Sequence, residues 1–207
     1  MAEVDRAQLD ASVLDEEERS RAARLRGGER TGFLAAHILL RQLLGRRLGV
    51  APGVVAYRRE ACPRCGAPRG RPALDGPGPT LHFSLSRRAG VVLIALAPVA
   101  VGVDVEAVPP DATVADVAEL LHPAEREQIL AAGAATRAEV FTRLWARKEA
   151  YLKGIGTGVA HDLGADYLGT DELVPGPPGW TVVEVPVASG YGAAVAVQST
   201  ATVSAPR

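Results

Sequence analysis

Acidic and apolar residues alternate in Val101-Gly102-Val103-Asp104-Val105-Glu106. An extended chain sends successive side chains to opposite faces, so this segment as a strand puts Asp104 and Glu106 on one face and Val103 and Val105 on the other. Like charges sharing a strand face repel. The pair becomes favourable when a divalent cation lies between them, since Mg²⁺ prefers hard oxygen ligands and takes a few carboxylates plus phosphate and water. The same alternation also fits an edge strand with its polar face in water. About forty residues further on, Phe141, Trp145, Glu149 and Leu152 share one stripe of a helix, so an acid interrupts an apolar face. Lys148 stands beside that acid and Lys153 one turn beyond. A surface Glu149–Lys153 pair would stabilise by only about 0.2 to 0.5 kcal/mol. Alternatively Glu149 is a third ligand of a cation held by Asp104 and Glu106, with Lys148 or Lys153 directed at a bound phosphate. Three carboxylates and flanking lysines suit a pyrophosphate whose P–O bond is to break.

These residues need elements to carry them. Hydrophobic spacing predicts helices over 13–26 and 30–48, joined at Gly27-Gly28; the second has Phe33, Leu34, Ile38, Leu39, Leu43 and Leu44 on an apolar stripe and Arg41, Arg46 and Arg47 on the other face. Residues 52–80, rich in Gly, Pro and Arg, read as a long surface excursion with one short strand at Val54–Tyr57. Strands follow at Leu81–Leu85 and Val91–Ala97, with a turn around Arg88 to Gly90; the second is apolar throughout and is expected to be central. A further strand at Val99–Val108 is linked through Pro98, and helices are expected over Val114–Leu121, Pro123–Ala131 and Thr136–Lys153. After a second Gly/Pro-rich stretch at 154–180, Thr181–Val187 and Tyr191–Gln198 form a hairpin through Ser189-Gly190, and the last residues read as frayed. Each half runs helix, turn-rich excursion, strands, which implies an α+β protein with two related lobes, 1–98 and 99–207.

With 207 residues, 47% hydrophobic and 23% charged, the chain has the balance of a protein with a sizeable core and is not disordered. Its formal charge of −1 gives no reason to expect a nucleic-acid or anionic-membrane partner, and its Arg-Arg pairs lack interleaved aromatics. No segment has the roughly 18 apolar residues of a membrane span, and the acidic N-terminus does not resemble a signal peptide. A cytoplasmic monomer is the expectation. Cys62 and Cys65 make one CxxC, which fits a tight turn, half of a zinc site or a redox pair.

Two segments in order, Gly102-Val103-Asp104-Val105-Glu106 and Trp145-Ala146-Arg147-Lys148-Glu149-Ala150-Tyr151-Leu152-Lys153, resemble the core motifs of the 4'-phosphopantetheinyl transferases, of the larger pseudodimeric type that serves peptide and polyketide synthases. Upstream, Gly70-Arg71-Pro72 is similar to that family's Gly-Lys/Arg-Pro, and Phe83-Ser84-Leu85-Ser86 to its Phe-Asn-Leu-Ser. The likeness runs from about Gly70 to Lys153.

The resemblance implies two similar lobes in a pseudo-twofold arrangement, each a small antiparallel sheet packed by helices, with the metal site at their interface. It implies that Asp104, Glu106 and Glu149 hold Mg²⁺ on the pyrophosphate of coenzyme A, that Lys148 and Lys153 contact phosphate, and that Arg71, Ser86 and Arg87 bind the nucleotide. A carrier-protein serine would attack the β-phosphate, releasing adenosine 3',5'-bisphosphate, with Glu149, Lys153 and Asp104 catalytic and the serine proton going to Glu149 or to a metal-polarised water. The family's His-Ser after Phe-Asn-Leu-Ser is replaced by Arg87-Arg88. Arg87 still suits a phosphate, whereas the bulky Arg88 bears on nucleotide preference; the pair also suits a solvated turn. Acyl or peptidyl carrier proteins are small and acidic, so a basic surface of Arg41, Arg46, Arg47, Arg87 and Arg88 would steer them. A transferase with another pyrophosphate donor and a non-catalytic carrier- or nucleotide-binding homologue are the alternatives.

Overall fold

The computed structural model of the chain describes residues 10–76, 81–169 and 177–199. Helix α1, Glu16–Arg24, starts in a capping box. The Asp15 side chain accepts from the Glu18 N–H at 2.8 Å, and the Glu18 carboxylate accepts from the Asp15 N–H at 3.1 Å. Acids in its first turn and arginines in its last complement the helix dipole. Helix α2, Gly27–Leu48, begins at the glycines expected to precede it and stops at Gly49, whose φ of 71° takes the left-handed turn that ends many helices. It buries Phe33, Ala36, Ile38, Leu40 and Leu44, while Leu34, Leu39 and Leu43 are only half-buried.

The first sheet contains β1 (Tyr57–Arg59), β2 (Pro72–Leu74), β3 (His82–Arg88) and β4 (Val91–Ala97), antiparallel and in that order. Much of the expected excursion is therefore a hairpin. Its pairing continues past β1 and β2, because the Glu60 N–H donates to Arg71 O and the Gly70 N–H to Glu60 O. Strands of three residues are too short to show a period, which is why composition alone suggested a loop. Ala89 and Gly90, with φ of 44° and 89°, make the two-residue turn from β3 to β4. Arg87 and Arg88 are thus the last residues of β3 and not part of the turn.

Strand β5, Val101–Ala107, opens a second antiparallel sheet in the order β5, β7 (Tyr191–Gln198), β6 (Trp180–Glu184). Strand β4 is an edge of its own sheet, contrary to its expected central place. Its continuous apolar run is explained by α2 and β5, which both pack against it. Between β5 and β6 come α3 (Asp111–Ala118), α4 (Pro123–Ala131) and α5 (Arg137–Ile155). The terminal stretch expected to fray lies, beyond Ser199, outside the described residues.

Helix α5 lies directly on β5 and β7. A Cβ at Gly102 would stand 1.9 Å from the Ala150 carbonyl oxygen, so only glycine permits this approach. Ala146, Ala150 and the fully buried Leu152 meet Ala194 and Ala196 there, and burying a leucine of this kind stabilises by roughly 1.5 to 3 kcal/mol. Phe141 and Leu144, further back on α5, pack with Val114, Leu121 and Ile129 of the α3–α4 layer. On the first sheet, Leu40 and Leu44 of α2 pack with Val55 and Phe83. The chain is thus α+β, with two small antiparallel sheets packed by helices. Among the described residues, no helix is long and apolar enough to cross a membrane.

The two sheets meet through side chains. The outer edge of β5 would leave backbone groups unpaired, but Ser84 Oγ accepts from the Val103 N–H at 3.1 Å and Ser86 Oγ from the Val105 N–H at 3.3 Å. Lys153 Nζ donates to Val103 O at 3.2 Å. Serines two apart on β3 face the same way, so they reach alternate amides of β5.

Candidate active site

Alternation along β5 turns Asp104 and Glu106 to the α5 side, as Gly102 does with its close approach to Ala150. Asp104 is 3% exposed, so although β5 is an edge of its sheet this acid does not face water. Its Oδ1 receives Lys153 Nζ at 2.5 Å and Ser86 Oγ at 2.8 Å. Among the described residues its Oδ2 is buried without a hydrogen-bond partner, a costly state for a carboxylate oxygen. Lys153 pairs with Asp104; the simple Glu149–Lys153 pair does not form.

Glu106 and Glu149 belong to the same electrostatic group. Burial and then the Asp104 charge push both carboxyls above the usual range, and Glu106 adds to the effect on Glu149. Arg88 Nε, 3.2 Å from Glu106 Oε2, works against this, and so does the Trp145 side chain. Among the described residues, no three Asp, Glu, His or Cys side chains stand close enough to form a ready-made metal site. The donor set nevertheless suits a hard divalent cation: carboxylate oxygens that repel one another, one of them without a hydrogen-bond partner among the described residues.

Beside this group lies a cavity of about 440 Å³, bounded by residues of α1, α2, the first sheet and the end of α5. Arg21, Arg58, Arg59, Arg69, Arg71 and Arg87 line it together with Lys153, seven cations against the three carboxylates of Asp15, Glu17 and Glu18. Arg71 spans from the hairpin to α5, donating from Nε to Glu60 at 2.7 Å and from Nη1 to Gly154 O at 3.1 Å. Arg87 donates to Glu29 at 2.9 Å and stands over the Phe33 ring.

Glu18 is the buried acid of this wall. It takes His37 Nδ1 at 2.8 Å, Arg41 Nε at 2.6 Å and a short bond from Tyr57. Burial alone would raise its carboxyl, but hydrogen bonds from His37, Tyr57 and Arg41 outweigh that and hold it at about 2. Arg41, expected on the outer face of α2, is therefore 1% exposed and paired with Glu18 and Asp15. It has no part in a basic surface.

Residues 100–175 match the profile of the family described as ACPS: 4'-phosphopantetheinyl transferase superfamily. The 4'-phosphopantetheinyl transferase HetI of Nostoc sp. (strain PCC 7120) is 31% identical over 195 residues, covering 90% of this chain and 79% of the relative. The chain belongs to the 4'-phosphopantetheinyl transferase superfamily. A putative 4'-phosphopantetheinyl transferase, slr0495, of Synechocystis sp. (strain PCC 6803) is 28% identical over 156 residues, 73% of this chain and 61% of that protein. A crystal structure of a holo-(acyl-carrier-protein) synthase from Bacillus anthracis in complex with CoA (3',5'-ADP) covers 49% of this chain and 97% of its own, with a TM-score of 0.38 and 18% identity, a loose likeness that carries no weight for function.

In this family member, the seam between the sheets brings together Asp104, Glu106, Glu149, Lys153 and Ser86, and the cavity collects Arg71, Arg87 and Lys153. Lys148 goes elsewhere. It is 1% exposed, its Nζ lies 2.9 Å from Glu125 Oε1 and 2.5 Å from Asp166 O, and it does not line the cavity. On a helix, Lys148 and Lys153 are five residues and about 140° apart, which separates their faces. Sequence reasoning missed Ser84 as an inter-sheet bridge and Glu18 with its partners. Asp15 followed by Glu18 is a capping-box spacing that was legible, but no local signal announces the pairing of Glu18 with Arg41.

Proposed function

We propose that this transferase moves the 4'-phosphopantetheinyl group from coenzyme A to a serine of an acyl or peptidyl carrier protein, releasing adenosine 3',5'-bisphosphate. The observation that carries this reading is the double placement of Lys153, which lines the cationic cavity and pairs with Asp104 of the carboxylate group. Membership of the superfamily supports it. We take residues 1–98 and 99–207 as two lobes, one around each sheet, with the reaction at their seam.

The excess of cations suits the phosphates of coenzyme A, with Arg71 and Arg87 contacting the nucleotide. Asp104, Glu106 and Glu149 would hold Mg²⁺, which when bound offsets pyrophosphate charge. Lys153 then holds the pyrophosphate through its ammonium while Asp104 and Ser86 keep that ammonium in place. The serine Oγ forms a bond to the β-phosphorus as the bond from that phosphorus to the bridging oxygen breaks. We assign the serine proton to Glu149, which stands in the same carboxylate group as Asp104 and Glu106.

The test is intact-mass spectrometry of purified apo carrier proteins incubated with the enzyme, coenzyme A and Mg²⁺. The expected result is a gain of one phosphopantetheinyl arm, abolished by EDTA and by Glu149→Ala. No gain on any carrier, with coenzyme A still bound, would overturn transfer in favour of a binding role.

A further inference from the structure

The Cys62/Cys65 pair takes no part in the chemistry above, yet its place in the fold connects it to the cavity. It forms the tip of the β1–β2 hairpin. The Cys62 N–H donates to Ala67 O and the Gly66 N–H to Cys62 O, each at 2.8 Å, which folds the tip back on itself. Both cysteines are free thiols, Cys62 buried and Cys65 exposed. Arg69 Nη2 donates to Cys65 Sγ at 3.3 Å, and Arg69 is itself one of the cations lining the cavity, immediately before Gly70 and Arg71 on the returning limb. An exposed thiol, a buried neighbour and a guanidinium shared with an anion-binding cavity thus occupy one turn.

We propose that Cys62 and Cys65 are a reversible thiol–disulfide pair, and that closing the disulfide releases Arg69 to an anion in the cavity. The Cys65 thiolate attacks one sulfur of a small-molecule disulfide and expels one thiolate, leaving a mixed disulfide at the exposed position. Cys62, losing its proton to water, then attacks Cys65 Sγ and expels the second thiolate. Two protein thiols are oxidised by two electrons, and one external disulfide is reduced to two thiols. The Cys65 thiol is well suited to attack first. Hydrogen bonds from the Ala67 backbone, Arg69 and Cys62 bring it down to about 7, so much of it is thiolate near neutral pH. In the reduced protein that thiolate competes with any bound anion for Arg69; in the disulfide the negative charge is gone. Among the described residues no third metal ligand joins the pair, which favours redox chemistry over zinc.

The test equilibrates the whole protein in mixtures of reduced and oxidised glutathione and follows its mass. Calorimetry then measures binding of inorganic pyrophosphate and of coenzyme A to both forms. The expected results are a reversible loss of about 2 Da and an oxidised form that binds both anions about two- to fivefold more tightly, the size of one exposed charge pair. Arg69→Ala should abolish the difference while still forming the disulfide. No disulfide at any glutathione ratio, equal affinity of the two forms, no pyrophosphate binding to either form, or stoichiometric zinc shielding both thiols would each overturn the proposal. The coenzyme A arm rests on the proposed function. If pyrophosphate shows the difference and coenzyme A binds neither form, the assignment of the donor falls and the redox pair stands.

Discussion

Lys153 closes its ion pair on Asp104, at 2.5 Å, across the seam between α5 and β5, although Glu149 lies one turn away on its own helix. The tertiary partner wins because Asp104 is buried and its charge has few other donors, whereas a partner on the same helix adds a few tenths of a kcal/mol. A motif lysine is thereby fixed to a motif acid on the strand beneath its own helix.

Lys153→Met should reduce transfer by about 10²- to 10³-fold, the loss typical of one well-aimed donor. It should also lower stability by about 1 to 3 kcal/mol, since Asp104 would retain only Ser86. Carrier-loading kinetics and urea unfolding check the two effects separately.

Lys148→Met should act on folding instead. Glu125 is fully buried and takes Lys148 at 2.9 Å along with the Leu168 N–H at 2.7 Å. Removing the ammonium leaves a buried charge short of its partner and should cost about 3 to 5 kcal/mol. The double variant Lys148→Met/Glu125→Gln should recover part of that loss, with an unchanged KM for coenzyme A. A raised KM in the folded double variant would return Lys148 to the phosphate site.

Glu18 predicts an acid limb of stability. Its carboxyl is depressed from 4.5 to about 2. The folded state therefore binds fewer protons than the unfolded one, and the stabilisation is fully present above about pH 4.5 and is lost as pH falls through about 2. A shift of this size corresponds to roughly 3 kcal/mol. Urea midpoints measured from pH 6 to pH 2 should fall steeply for the natural chain. Glu18→Gln should start lower and follow a flatter course.

Gly102→Ala should be far more damaging than its size suggests. The added methyl would meet Ala150 O and the Gly154 backbone, neither of which can rotate away. A loss of about 3 kcal/mol or more is expected, read as a fall in Tm with an accompanying loss of transfer, because β5 carries Asp104 and Glu106.

Periodicity makes much of this chain legible. The period-2 pattern at Val101–Glu106 placed both acids on one face, and the apolar spacing on α2 and α5 outlined both long helices within a few residues. The β1–β2 hairpin was hidden because its strands are three residues long and its tip is held by turns. The apolar run of β4 read as a central strand because hydrophobicity reports the burial of side chains and is silent on which backbone edges are paired.

Residue type and spacing suffice to show which side chains carry charge and which share a face: Asp104 with Glu106, and Glu149 on the apolar stripe of α5. Where the cations went depended on packing. Lys153 turned to Asp104, Lys148 to the buried Glu125, Arg88 to Glu106 and Arg41 inward to Glu18. Apart from the more exposed Arg88–Glu106 pair, each choice depends on which acid lies buried within reach after the sheets and helices have packed, and a buried charge selects its partner through desolvation and geometry across tens of residues of chain.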